Sequence, residues 1–173
     1  MHIVIMRGIP GSGKSPFVTR LMDIRGHAHT HVISTDKYTQ GPNGYDPSML
    51  QAGHEASWLE YEKLICGEGA SPKDLVVVDN TNITGFEIGP YYLPARAHKH
   101  FVSVVTMLCS PEDAIVGSTH KVPSSVIWPR YQTLVTERLP AYVQGIVVVQ
   151  TYDEDDLPVF DPSPESVLAR YKM

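Results

Sequence analysis

Short apolar runs alternate with helical patterns along the 173-residue chain. Ile3–Met6, Val32–Ser34, Leu75–Val78, Phe101–Leu108 and Gly145–Gln150 are continuous and rich in β-branched residues. Such runs suit strands of a parallel sheet covered on both faces, whereas a half-exposed hairpin would alternate apolar with polar. Between them, Lys14–Ile24 reads as a helix, and Pro47–Cys66 carries Leu50, His54, Trp58, Tyr61 and Ile65 at three-to-four spacing. Glu87–His98 and Pro123–Leu139 are helical patterns interrupted by Pro90, Pro94 and Pro129, which restrict or kink a helix. The alternation predicts an α/β fold: a doubly wound, mainly parallel sheet of about five strands with helices on both faces.

The length suggests one domain over residues 1–173. Hydrophobic residues make up 42% and charged residues 19%, which excludes a disordered chain. A formal charge of −5 argues against coating nucleic acid by charge alone and leaves room for a local basic groove. Cations gather early, at Arg7, Lys14, Arg20 and Arg25, and acids late. Residues 151–173, with Asp153–Asp156 and several prolines, read as an acidic, solvated C-terminal tail. Cys66 and Cys109 are far apart, which rules out a disulfide framework and fits reduced thiols. No run approaches 18 apolar residues, so no membrane span and a cytoplasmic location are expected.

Directly after the first run, Gly8-Ile-Pro10-Gly11-Ser12-Gly13-Lys14-Ser15 fits G-x-x-x-x-G-K-[ST], with a helical pattern behind it. The spacing has a physical reason. Gly8, Gly11 and Gly13 let backbone N–H groups turn inward around a phosphate, where side chains would obstruct. The helix beginning near Lys14 points its positive dipole end at the same anion. Lys14 is then expected on the β- and γ-phosphates of ATP and Ser15 on Mg²⁺. Without nucleotide, Lys14 is expected to be a surface charge. Pro16 suits a first helical turn but removes one donor from the cradle, predicting somewhat weaker ATP binding.

Two further strands end in carboxylates. In doubly wound sheets the carboxyl ends of the strands face the ligand crevice. Asp36, after the second run, is placed to accept the proton of a hydroxyl attacking the γ-phosphorus, or else to cap the next segment. Asp79, after Leu75–Val78, is placed to hold Mg²⁺ directly or through water, with Asn80 and Asn82 bracing the loop or meeting substrate.

The phosphate loop, Ser34-Thr-Asp36-Lys-Tyr38 and Asp79-Asn-Thr-Asn82 together resemble the polynucleotide-kinase-like branch of P-loop kinases. Ala52-Gly-His-Glu55, Phe86-Glu-Ile-Gly-Pro-Tyr-Tyr92 and the lid-like His120-Lys-Val-Pro123 add to the resemblance, which runs from about residue 2 to residue 135. It implies a small helical lid over about 117–139 and ATP-dependent phosphate transfer to a hydroxyl, typically the 5′-OH of DNA or RNA. A second form of that function is a phage-type kinase of 5-hydroxymethyl-pyrimidine bases in DNA, which would act in the host cytoplasm. Asp36 aligns with the family's general base, Lys14 and Ser15 with its ATP and Mg²⁺ contacts. Two positions depart from the pattern. Thr39 stands where the family has a substrate-clamping Arg, and Gly117 falls on its lid Arg. His120, Lys121 and Arg130 are the candidates to replace it; the guanidinium of Arg130 is best suited to bridge two phosphate oxygens, its alternative being to solvate a helix face.

The turn-rich segment Thr39–Pro47 follows the expected base, so Tyr38 and Tyr45 are candidates to stack on an acceptor base, while Trp58 is expected in the core. His27, His29 and His31 would share one face of a strand and offer metal ligands, but their position before a strand favours a solvated loop. Two rival functions remain: a small-molecule kinase for a nucleoside, sugar or antibiotic, which the acidic charge and Thr39 favour, and a non-catalytic ATP-binding module, which needs no acceptor base.

Overall fold

The computed structural model describes residues 1–41, 44–72, 74–118, 121–143, 145–152 and 157–169, with the backbone alone at Gln40, Gly44, Tyr45, Thr151 and Tyr152. Strand β1 (His2–Arg7) leads through the glycine loop into α1 (Lys14–Arg25), and β2 (Thr30–Ile33) follows. A two-strand hairpin, β3 (Gln40–Gly41) and β4 (Gly44–Tyr45), precedes α2 (Leu50–Ile65). Then come β5 (Leu75–Val78), α3 (Gly85–Ala97), β6 (Phe101–Leu108), α4 (Pro111–Gly117) and α5 (Ser124–Thr136). Strands β7 (Gly145–Tyr152) and β8 (Pro158–Asp161) and helix α6 (Pro164–Ala169) close the order.

The main sheet has six strands in the order β2-β5-β1-β6-β7-β8, all pairs parallel except β7 with β8. Alternation along β1 shows how it is covered. Ile3 and Ile5 join Tyr61, Leu64, Ile88 and Tyr91 of α2 and α3 on one face. Val4 and Met6 join Phe17, Val18 and Leu21 of α1 and Val167 of α6 on the other. Helices therefore cover both faces, as the unbroken apolar runs require. Each fully buried side chain such as Phe17 or Leu21 contributes roughly 1.5–3 kcal/mol of transfer free energy.

All five expected strands are present, and a sixth adds to them. Residues 151–173 are not wholly a solvated tail: β8 adds an antiparallel edge, Phe160 packs edge-on against Phe17 at 5.2 Å, and Val167 of α6 is buried. Asp153–Asp156 lie outside the described residues. Helix α4 is a second addition. Ser110 Oγ caps it by accepting the Asp113 N–H at 3.0 Å, and Pro111 opens its first turn. Pro90 and Pro94 lie inside α3, and Pro129 inside α5, without ending either helix. A capping box between Thr84 and Glu87 anchors the start of α3. Within the segment expected as a lid, α5 packs through Ile127 and Leu134 on Ile9, Ile83 and Ala114. No helix among the described residues is long and apolar enough to cross a membrane.

Candidate functional site

The carboxyl ends of β1, β2 and β5 lie side by side, and two backbone hydrogen bonds tie their loops together. Asp79 N–H donates to Ile33 O at 2.8 Å, and Gly8 N–H to Thr81 O at 2.9 Å. Residues 8–13, Thr35–Asp36 and Asp79–Thr81 therefore form one crevice.

The glycines of the loop are required by close approach. A Cβ at Gly11 (φ 80°) would collide with the Ala114 carbonyl of α4, and one at Gly13 (φ 81°) with the Gln150 side chain of β7. Gly13 opens α1 with no side-chain cap, so the first-turn N–H groups of Lys14 and Ser15 remain for an anion, while Pro16 has none to give. Ser12 Oγ is buried and has no hydrogen-bond partner among the described residues. These features fit a phosphate.

Lys14 is not the surface charge expected from the sequence. Its Nζ donates to Gly8 O at 3.0 Å and Ile9 O at 2.8 Å, so the ammonium fills the loop itself. Burial lowers its pKa to about 8; Asp79, Cys109 and Asp36 oppose the shift and Arg130 adds to it. Ser15 Oγ donates to Asp79 Oδ2 at 3.2 Å. Burial raises the pKa of Asp79, against Lys14 and the Ser15 hydrogen bond, and the Asp36 charge pushes the same way as burial. Cys109 borders the site, but burial and Asp113 push its thiol up to about 11, so it stays a protonated thiol. Asp36 is exposed at the crevice, its N–H held by Ser34 Oγ at 3.3 Å.

Helix α5, in the segment expected as a lid, contributes one cation to this group. Arg130 Nη1 donates to Thr81 Oγ1 at 3.3 Å, close enough to Lys14 for their charges to interact. Lys121 is exposed in a left-handed turn (φ 49°), its N–H donating to Ser118 O at 3.1 Å. His120 lies outside the described residues. At Gly117 a Cβ would sit 2.9 Å from Gly11 O, so α4 meets the phosphate loop where a larger residue would push it away.

The expected substrate residues separate. Tyr38 leaves the crevice: its hydroxyl donates to Glu60 Oε2 at 2.7 Å on the side of α2 opposite His54 and Trp58. Thr39 is fully buried against Gly53 and cannot meet a substrate. The Tyr45 side chain lies outside the described residues. Asn80 accepts the Thr35 N–H at 2.9 Å and donates to Tyr91 Oη at 3.3 Å. Asn82, left-handed at φ 43°, donates to Met6 O at 2.8 Å. Both asparagines brace the loop. Away from the crevice, His29 and His31 meet the two oxygens of Asp74 at 3.2 and 3.1 Å, with His31 within β2 rather than in a loop. Sequence reasoning missed Thr81, Gln150 and Phe86, which lies 90% exposed beside the crevice. An aromatic in the first turn of α3 was the available signal.

A family model described as an AAA domain (AAA_33) matches residues 3–121. The chain belongs to this family. Among curated relatives, human NEDD4-binding protein 2 is 33% identical over 108 residues, 58% of this chain; the chain spans about 5% of that protein's length. Kti12 of Chaetomium thermophilum, solved with ADP-AlF3, superposes with a TM-score of 0.61 at 14% identity, covering 99% of this chain and 100% of that one. A gluconokinase of Sinorhizobium meliloti 1021 superposes at 0.57 and 18% identity, covering 86% and 82%. At such identities the likeness is one of fold: the P-loop kinase fold.

Proposed function

We propose that the chain is an ATP-dependent phosphotransferase whose acceptor is a hydroxyl of a nucleic acid. The convergence of Lys14, Ser15, Asp36, Asp79 and Arg130 on one crevice supports this most directly. Backbone N–H groups of residues 8–15 hold the β-phosphate, and Lys14 exchanges its two carbonyl partners for phosphate oxygens. The Asp36 carboxylate takes the proton of the acceptor hydroxyl. The acceptor oxygen forms its bond to the γ-phosphorus as the bond to the β–γ bridging oxygen breaks, and ADP leaves with that electron pair. Arg130 and Lys14 offset the charge on the transferring group. Ser15 Oγ and Asp79 Oδ2 are the hard oxygen donors that suit Mg²⁺, which when bound neutralises β- and γ-oxygens.

Burial of Thr39, where a cation would grip a substrate phosphate, together with the net charge of −5, favours a second reading in which the acceptor is a free nucleoside. ATP consumption with DNA oligonucleotides, RNA oligonucleotides, nucleosides and gluconate separates the two. Stimulation by oligonucleotides beyond that by nucleosides supports the first reading. Saturating stimulation by nucleosides alone overturns it.

A further inference from the structure

A slot of about 280 Å³ opens between α2 and α3 beside the crevice. Helix α2 lines it with His54 and Trp58, one turn apart, and α3 with Phe86 and Pro90 at the same spacing. Its floor is Asn80 and Thr81, the residues directly after Asp79. Two contacts join it to the phosphate site. Thr81 Oγ1 accepts from Arg130, and Thr35, next to Asp36, meets His54 Nδ1 through its hydroxyl at 3.2 Å.

Each wall carries an aromatic ring, Trp58 on α2 and Phe86 on α3. Trp58 packs on Tyr61 and Tyr91 at ring distances of 5.8 and 5.9 Å, which leaves its other side to the slot. Phe86 stands almost wholly in solvent at the mouth, where it contributes little to the core. A slot that has an exposed phenyl ring on one helix and a half-buried indole on the other, next to a phosphate site, is a place for a flat ligand.

Charge narrows the class. None of the described residues that line the slot is Lys or Arg, and Arg130 meets it only at Thr81, on the phosphate side, so an acidic acceptor such as a sugar acid finds no cation along the helix walls. The one acid among the described residues that line it, Glu87, is already engaged, its Oε2 accepting the Thr84 N–H at 2.8 Å and hydroxyl at 3.2 Å. At the edge, His54 Nε2 has no hydrogen-bond partner among the described residues. Pro90 has no N–H for the Phe86 carbonyl, which leaves that acceptor outside the helix ladder. Apolar faces with a few donors and acceptors at the rim match an uncharged nitrogen heterocycle.

We infer that this slot is the acceptor subsite and that it holds one nucleobase, of a nucleic-acid strand or of a free nucleoside, stacked between Trp58 and Phe86. The inference rests on the proposed phosphotransferase reading, which supplies the hydroxyl acceptor at Asp36. Base stacking tolerates any of the bases, so the slot selects the class of acceptor and not its sequence.

Trp58 is one of two tryptophans, so its fluorescence can be isolated in the full chain carrying Trp128→Phe. Thymidine, adenosine, 5′-hydroxyl trinucleotides and gluconate are titrated, each with and without a non-hydrolysable ATP analogue. Saturable quenching by nucleosides or trinucleotides and none by gluconate is expected. A trinucleotide binding more tightly than the free nucleoside identifies a strand as the source; equal affinity identifies the nucleoside. Phe86→Ala, at an exposed position, should weaken binding roughly tenfold or more, with Phe86→Tyr restoring it. Absence of quenching under both conditions, competition by gluconate, or unaltered affinity in Phe86→Ala would overturn the slot. Phosphate transfer with an unchanged KM in Phe86→Ala would overturn the slot alone. Base binding without any transfer from ATP would instead overturn the phosphotransferase reading.

Discussion

Arg130 Nη1 donates to Thr81 Oγ1 at 3.3 Å, so a helix far along the chain is tied to the loop that follows Asp79. The contact holds a guanidinium whose charge acts on Lys14, although the polynucleotide-kinase-like resemblance implies a cation at the position that Gly117 fills. Arg130→Lys should lower kcat roughly tenfold or more, because an ammonium cannot bridge two oxygens. Lys121→Ala should leave kcat near wild type, and both variants should keep their Tm. Equal, near-wild-type rates would show that this helix supplies no cation to the transition state.

Asp36→Asn separates catalysis from binding. The amide keeps the shape and cannot take a proton, so transfer should fall roughly 10²–10⁴-fold while calorimetric ATP affinity holds. Parallel loss of ATP binding would assign Asp36 to the metal or to the loop's structure. A module that only binds ATP would lose nothing.

Lys14 gives the site a pH dependence. Burial lowers its pKa from 10.5 to about 8, so in the nucleotide-free protein the ammonium is lost as pH rises through that value. Phosphate needs the charged form, and binding must then take up a proton. ATP affinity should fall by up to about tenfold per pH unit above about pH 8. Calorimetry at about pH 7 and about pH 9 in buffers of different ionisation enthalpy checks this. Lys14→Met should bind ATP weakly at both, without the slope.

Arg7 is a structural link between β1 and α5. Its Nε donates to Ile83 O at 2.9 Å and Nη2 to Leu134 O at 3.0 Å, and it is 5% exposed. Burial lowers its pKa, and Glu137 and Glu87 support the charge. Arg7→Met keeps the apolar stem and strands both carbonyls, at a cost of roughly 2–4 kcal/mol. Urea unfolding measures it; an unchanged midpoint would mean that α5 holds without this bridge.

The parts of the fold that were legible in the sequence were those written in one local pattern. Strands buried on both faces read as continuous apolar runs, and the glycine loop carries its chemistry in its spacing. Strand β8 was hidden because an antiparallel edge needs few apolar residues, and Pro158, Asp161 and Pro162 read as a tail. Helix α4 has only seven residues, too few for a periodic pattern, although Ser110-Pro111 announced its start. At the site, sequence placed Lys14 and Ser15 at the start of the helix after the glycine loop and Asp36 and Asp79 after strand ends, and offered Arg130 as a cation. Tyr38 and Thr39 were misread because a four-residue 3₁₀ turn after β2, Thr35–Tyr38, decides which side of α2 each faces. The folding of Lys14 onto Gly8 and Ile9, and the bringing of Trp58 and Phe86 to one slot from two helices, depend on tertiary placement that no local pattern carries.

The most direct test is transfer of radiolabelled γ-phosphate from ATP to defined oligonucleotides with 5′-hydroxyl ends or hydroxymethyl bases, followed by mapping of the labelled atom. Label on a hydroxyl oxygen of the nucleic acid, lost in Asp36→Asn, is the predicted result. Label released only as inorganic phosphate, or transferred only to small molecules with every oligonucleotide inert, would contradict the account.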